Sequence, residues 1–458
     1  MPKALYLACT VNTPYLPATG GPRLIYLLLE ASGGSDAGSL PVNLALVVDV
    51  SESMHFRLAT EAQFEDLARK GLLKEVLVDG VPAWQSSGIP QEVLTGLPRK
   101  IDRVKDALLT AVEQLRSNDR FALIAFAGQA VTLIPNTSGA EKRRLLGAVD
   151  GLAQLQLGDD TYIGRGMALG FDEVERGGAG ADLAERMLVL TDGFTQDEDV
   201  CRAEAARARR ARVPISTMGL GGEFNEELMI PVADQTGGEA YLLEDPDDIP
   251  EAFTHELQRA QAVRYRGLEV KLRPAHGVEV RAAYRVRPTI APLEAVSADG
   301  SYSFSLGDLV VGEEPALLLE LIVPSRQPGV YRLAQTLLAC DDPAGGPVGL
   351  KARADVVVEY TSDAARATYQ TPEVMHVVEA LSAYKLQRLA QADLEEGDVV
   401  GATRKLRAAA TRLLDMGEET LAAEMERQAE ELEQHGQADP QRTKRLRYET
   451  RKLTQKLA

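Results

Sequence analysis

The feature that most constrains this chain is a change of rhythm near residue 39. From there to about residue 263, short apolar runs alternate with amphipathic stretches. The first run, residues 44–49, is continuously apolar and ends in Asp49. An apolar run without polar alternation marks a strand covered on both faces. Ile101, Val104, Leu108, Ala111, Val112 and Leu115 then share one face of a helix. Further strands are predicted at residues 121–126, 131–134, 187–190, 213–218 and 240–243, with helices at 142–149, 164–174, 199–211, 225–236 and 250–263. Parallel strands need crossovers of about this length, so residues 39–263 predict a doubly wound, mostly parallel α/β sheet with helices on both faces.

The flanks have other rhythms. Residues 264–362 hold short strand-like runs at 268–272, 278–286, 302–306, 316–323, 331–339 and 356–360, with turn residues and no helical pattern between them. This predicts an antiparallel β-sandwich. Residues 1–38 carry two more such runs, 4–11 and 23–30, followed by a Gly/Ser-rich stretch, 32–38. Two strands alone are marginal, so they are expected to join the later sheet. The α/β domain then becomes an insertion in a β-sandwich. Residues 363–458 are helical and charge-rich, and the spacing of Ala392, Gly397-Asp398, Ala402, Leu406 and Ala409 fits a helical hairpin. Too few repeats are present for a stable solenoid, so a helical bundle packed on the sandwich is expected.

Composition narrows the function classes. Lys and Arg number 50 against 68 Asp and Glu, a net charge of −18, which opposes general binding to nucleic acid or anionic membranes. Such a chain suits cations or basic partners. Cys9, Cys201 and Cys340 are too few and too scattered for a disulfide framework or a zinc site. No apolar stretch is long enough to span a bilayer, and residues 1–6 do not read as the start of a secretion signal. A cytoplasmic, bacterial-type location is expected.

The chemistry-bearing residues gather at strand ends. Asp49-Val50-Ser51-Glu52-Ser53 closes the first α/β strand, Gly158-Asp159-Asp160-Thr161 lies in a later loop, and Thr191-Asp192-Gly193 ends another strand. In open α/β sheets, ligands bind outside the carboxyl ends of the strands. Carboxylates and hydroxyls are hard donors that suit Mg²⁺ or Mn²⁺. This combination, with Gly219-Leu220-Gly221 after a late strand, resembles the metal-ion-dependent adhesion site (MIDAS) of the von Willebrand factor A (VWA, integrin I-domain-like) family over roughly residues 39–263. The resemblance implies that Ser51 and Ser53 ligate the metal directly. It implies Thr161 as a third hydroxyl, with Asp49 and Asp192 acting mainly through waters and hydrogen bonds. A metal held with few direct carboxylates stays electron-poor and favours an outside Asp or Glu, so the implied function is an adaptor that grips a partner protein.

Other readings of these residues lack a required group. A dehalogenase-type phosphatase needs a second Asp where Ser51 stands, Phe224 occupies the third-glycine position of a dinucleotide loop, and Arg259 replaces the second His of a zincin after His255-Glu256. No Ser/His/Asp arrangement is visible, so no catalytic residue is assigned and a non-enzymatic role is expected. The alternative is a regulatory subunit or enzyme whose chemistry comes from residues 55–98 or from a partner ATPase or kinase.

Two features depart from the family pattern. Glu52 stands where Gly is frequent, and it is expected to point to solvent. Residues 55–98 replace a short loop; a helical turn near Phe64, Leu67 and Ala68 and a hairpin over 76–84 with an Asp79-Gly80 turn are predicted there. Emerging beside Ser53, this insertion is expected to line the metal face. Its Glu65, Asp66, Glu75 or Asp79 could occupy the open metal position, and Trp84, the single Trp, would report on that contact. The basic segment 442–456 is expected to pair with acidic surfaces.

Overall fold

A computed structural model describes the chain apart from residues 1–4, 34–38, 58–60, 79–80, 87–88, 91–92, 94–95, 179–181, 222–223, 342–350 and 458. In chain order it opens with strands β1 (Leu5–Val11), β2 (Tyr15–Pro17) and β3 (Arg23–Gly33) and then enters the α/β domain with β4 (Val42–Asp49). Helix α1 (Glu61–Arg69) and the hairpin β5 (Leu73–Val78) and β6 (Val81–Ser86) form the insertion. The expected Asp79-Gly80 turn lies outside the described residues, as do the Phe64, Glu75 and Trp84 side chains. The domain continues through α2 (Lys100–Gln114), β7 (Arg120–Phe126), β8 (Ala130–Ser138), α3 (Lys142–Val149), α4 (Ile163–Gly178) and β9 (Ala184–Thr191). It closes with α5 (Glu198–Ala211), β10 (Ile215–Leu220), α6 (Glu226–Thr236), β11 (Ala240–Leu243) and α7 (Ile249–Gln261).

The α/β sheet runs β11-β10-β9-β4-β7-β8, and every pairing is parallel except β7 with β8. β4 is buried along its whole length because helices cover both its faces. Leu44, Leu46 and Val48 pack with Ile101, Val104 and Leu108 of α2, while Ala45 and Val47 pack with Met167 and Phe171 of α4. Helix α4 lies close against the sheet: a Cβ on Gly166 or Gly170 would come within 2.8 or 2.7 Å of the Val47 side chain. Only glycine permits that approach.

The remaining strands are β12 (Val263–Pro274), β13 (Glu279–Arg287), β14 (Ala291–Pro292), β15 (Val296–Ala298), β16 (Ser301–Val310), β17 (Ala316–Val323), β18 (Gly329–Ala339) and β19 (Lys351–Thr361). They form two sheets, β1-β3-β17-β13-β14 and β15-β16-β12-β18-β19-β2. β3 pairs antiparallel with β17 over Arg23–Glu30, so the chain's first strands belong to the late sandwich and the α/β domain is inserted within it. β2 goes to the opposite sheet, parallel to β19. Pro14 precedes this three-residue strand and Pro17 ends it, and its place at a sheet edge is where proline is tolerated.

Four helices follow: α8 (Pro372–Glu395), α9 (Val399–Asp415), α10 (Glu419–His435) and α11 (Pro440–Arg451). Gly397 takes a positive φ of 81° at the end of α8, and Asp398 then caps α9 by accepting from the Gly401 N–H. The bundle packs on the outer face of the first sandwich sheet, where Leu28, Val286 and Leu318 meet Val374, Leu381 and Tyr384. Leu27, Leu29, Leu317 and Leu319 face the other way, into the sandwich core. That sheet is therefore a middle layer, covered on both sides.

Candidate functional site

β4 and β9 are neighbours where the strand order reverses, with β7 and β8 to one side and β10 and β11 to the other. The carboxyl ends of such a pair frame a crevice. Asp49 is the last residue of β4, and Asp192 directly follows β9. Asp49 is fully buried; its Oδ1 accepts from the Ser51 N–H at 2.8 Å and its Oδ2 from the Thr191 hydroxyl at 2.7 Å. Burial pushes its carboxyl up to about 6; hydrogen bonds from Ser51 and Thr191 pull it down, and the Asp192 charge pushes it up. Its negative charge is thus costly, and a nearby cation would stabilise it.

Ser51 lies just before a 3₁₀ turn, Glu52–His55, pinned by the buried Met54. The turn brings the Ser51 and Ser53 hydroxyl oxygens to 3.2 Å, and Ser53 donates to Asp192 Oδ1 at 2.7 Å. Neighbouring ligands in an octahedron of about 2.1 Å bonds stand about 3 Å apart. These oxygens therefore fit adjacent positions around Mg²⁺ or Mn²⁺. Among the described residues no three His, Cys, Asp or Glu side chains form a metal-binding group. Any metal here would lean on hydroxyls.

Thr161 is held on the same sheet edge. Its carbonyl accepts from the Thr195 hydroxyl at 3.1 Å and the Gln196 N–H at 2.9 Å, and the next residue, Tyr162, bonds to the Ala127 carbonyl just past β7. Among the described residues, no hydrogen bond joins the Thr161 hydroxyl to the cluster of Asp49, Ser51, Ser53 and Asp192. Four of the five expected residues are thus linked by hydrogen bonds, and the fifth shares their face. Glu52 is exposed.

Of the four insertion carboxylates, the Glu75 side chain and Asp79 lie outside the described residues, and neither Glu65 nor Asp66 bonds to the site. Glu65 is exposed and Asp66 pairs with Lys70 at 2.5 Å. Lys100, the first residue of α2, instead places its Nζ 2.6 Å from Asp192 Oδ2. The insertion's stem is fixed there by an Arg57–Arg99 bridge and by Arg57 Nη1 donating to the Leu97 carbonyl at 2.7 Å. Sequence reasoning missed Lys100, because a lysine opening a helix carries no signal of its own. It also missed Phe56 and Phe194, 58% and 62% exposed, which follow Ser53 and Asp192 by three and two residues.

Comparison with known proteins identifies the domain that carries these residues. Residues 95–255 match the family pattern of the von Willebrand factor type A domain, and residues 372–456 match that of the Sll0103-like, C-terminal alpha-helical domain. The first match begins near the end of the insertion, so β4 and the Asp49–Ser53 segment precede it. The protein named uncharacterized protein sll0103, from Synechocystis sp., is 26% identical over 400 residues, 85% of this chain and 82% of that protein. A von Willebrand factor type A structure from Catenulispora acidiphila superposes with a TM-score of 0.73 at 17% identity, covering 97% of this chain and 96% of that one. The ArnB paralog VWA2 of Sulfolobus acidocaldarius gives 0.56 at 17% identity, covering 98% and 99%. The chain carries a von Willebrand factor type A domain, set into a β-sandwich and followed by an Sll0103-like C-terminal helical domain.

Proposed function

We propose that this protein is a metal-dependent interaction module, most simply an intracellular adaptor, that binds Mg²⁺ or Mn²⁺ through Ser51, Ser53 and Thr161 with Asp49 and Asp192 in support. The observation that carries the reading is the run of oxygens from Ser51 through Ser53 to Asp192, backed by the buried Asp49, at the sheet's switch point. A VWA domain supports protein interaction in general. A cation seated on hydroxyls stays electrophilic and takes a partner's Asp or Glu as its remaining ligand. The exposed Phe56 and Phe194 would give that carboxylate an apolar rim. We assign no catalytic residue. Among the described residues no helix is long and apolar enough to cross a membrane. Calorimetric titration with Mn²⁺ tests the reading: wild type should bind one ion, and Asp49→Ala should lose it. At about 100 times its Kd, the ion should stabilise the fold by about 2.7 kcal/mol. Equal binding by both proteins would remove the assignment.

A further inference from the structure

Resting on that reading, we propose that Lys100 is a tethered cation that competes with the divalent ion at Asp192, so that metal loading requires the ammonium to leave. Asp192 is a buried carboxylate with both oxygens engaged: Oδ1 takes the Ser53 hydroxyl and Oδ2 takes Lys100 Nζ at 2.6 Å. Its side chain has no exposed surface, while that of Lys100 is 21% exposed. Among the described residues no other cation pairs with Asp49 or Asp192. The ammonium thus compensates a carboxylate that would otherwise be buried unpaired, which is costly.

The same contact opposes a metal. An ion seated on Ser51 and Ser53 lies beside Asp192, so Lys100 in its present position would put like charges a few ångströms apart in a poorly screened crevice. Lysine suits release. Its four-carbon stem is flexible and its compact head is well hydrated, whereas a guanidinium would hold the carboxylate in a planar fork. The backbone beneath it is held by an antiparallel β-bridge between the Arg57 and Arg99 main chains, and the Arg99 side chain binds Asp102 at 2.7 Å. Only a side-chain swing is needed. Lys100 therefore keeps the metal-free site neutralised and sets a threshold that the ion must exceed.

The test uses the full chain and Mn²⁺ alone. Wild type, Lys100→Met, Lys100→Gln and Asp49→Ala are titrated calorimetrically, and each is melted in chelator and in saturating Mn²⁺. Removing the charge should tighten Mn²⁺ binding at least tenfold in both Lys100 variants. Both variants should melt below wild type in chelator, with the gap closing once Mn²⁺ is present. Lys100→Gln keeps a polar contact and guards against a misfolded Met variant. Binding to wild type that is equal to or tighter than binding to the variants overturns this proposal and leaves the metal site standing. No binding to wild type or to either Lys100 variant overturns both.

Discussion

The two ends of the α/β sheet bury carboxylates in opposite ways. At the carboxyl ends, an ammonium pairs with Asp192 but not with Asp49, whose carboxyl is pushed up to about 6 by burial. Toward the amino ends, Glu256 of α7 is equally buried, yet its carboxyl lies at about 2. Burial alone would raise it too, but the guanidiniums of Arg186 and Arg259, with hydrogen bonds from Tyr241 and Ser216, hold it down. Arg186 bonds Glu256 at 2.9 Å and pairs with Asp308 of the sandwich at 3.6 Å. Arg259 grips Glu313, also in the sandwich segment, through two hydrogen bonds of 2.6 and 3.0 Å. The difference separates two uses of buried charge. A compensated network fixes one domain against the next. A site where a buried carboxylate such as Asp49 has no ion-pair partner among the described residues keeps an affinity for a cation from outside.

Breaking the compensated end should have the largest effect. Glu256→Gln removes the closest ion-pair partner of the buried Arg186, leaving it Asp308 at 3.6 Å, and should cost about 3 kcal/mol in urea unfolding. The pH dependence has a definite sign. A carboxyl held at about 2, below its usual 4.5, contributes stability that is present above pH 4.5 and is lost as pH falls toward 2. Glu256→Gln should flatten that acid limb. A variant within 1 kcal/mol of wild type at pH 7, with an unchanged limb, would remove the contrast.

A junction of intermediate size lies where three domains meet. Asp234 of α6 accepts from Arg451 of α11 at 2.6 and 2.8 Å and from Arg285 of β13 at 3.0 Å. Nearby, Lys444 pairs with Glu226 at 3.0 Å, so the basic C-terminal segment finds acids within this chain. Arg451→Met leaves the Asp234–Arg285 pair intact and should cost about 2 kcal/mol, less than a complete break. Hydrogen exchange should speed up across residues 440–455, and unchanged protection there would show that α11 is held by apolar packing alone.

The metal end should respond least in stability and most in binding. Asp49→Asn in chelator should stay within about 1 kcal/mol of wild type or exceed it, because a neutral amide removes an uncompensated buried charge. Its Mn²⁺ binding should nevertheless be lost. A loss as large as that of Glu256→Gln would mean that Asp49 is structural.

What the sequence revealed follows the same physics. The apolar run ending at Asp49 was legible because β4 is covered on both faces, and a buried parallel strand has a composition of its own. Leu27-Leu28-Leu29 and Leu317-Leu318-Leu319 arise from the same double cover, yet that cover is the helical bundle, which lies far away in sequence. Asp49, Ser51, Ser53 and Asp192 were legible as hard oxygen donors at the ends of apolar strands, and the resemblance to the VWA family supplied their grouping. Thr191 stood beside them, but its bond to Asp49 depends on the β4–β9 register, which pairs Val48 with Leu190. Lys100 was illegible for a stronger reason: its partner is 92 positions away, and nothing local distinguishes it from any lysine opening a helix.

The smallest expected effect concerns Glu52, and it separates proximity in sequence from participation in the site. Glu52 lies between two proposed ligands, so the sequence alone allows it to coordinate. It is the first residue of the 3₁₀ turn and is exposed, whereas its neighbour Ser51 is buried and Ser53 bonds to Asp192. A carboxylate in water near a cation acts through a screened field with a Debye length of about 8 Å at 0.15 M salt. Glu52→Gln should therefore weaken Mn²⁺ binding less than about threefold at that ionic strength, and more at about 0.01 M, where the length grows to about 30 Å. The direction is opposite to that of Lys100→Met, since one change removes an anion and the other a cation. A salt-independent loss of tenfold would place Glu52 among the ligands, and the site would then be led by carboxylates rather than hydroxyls.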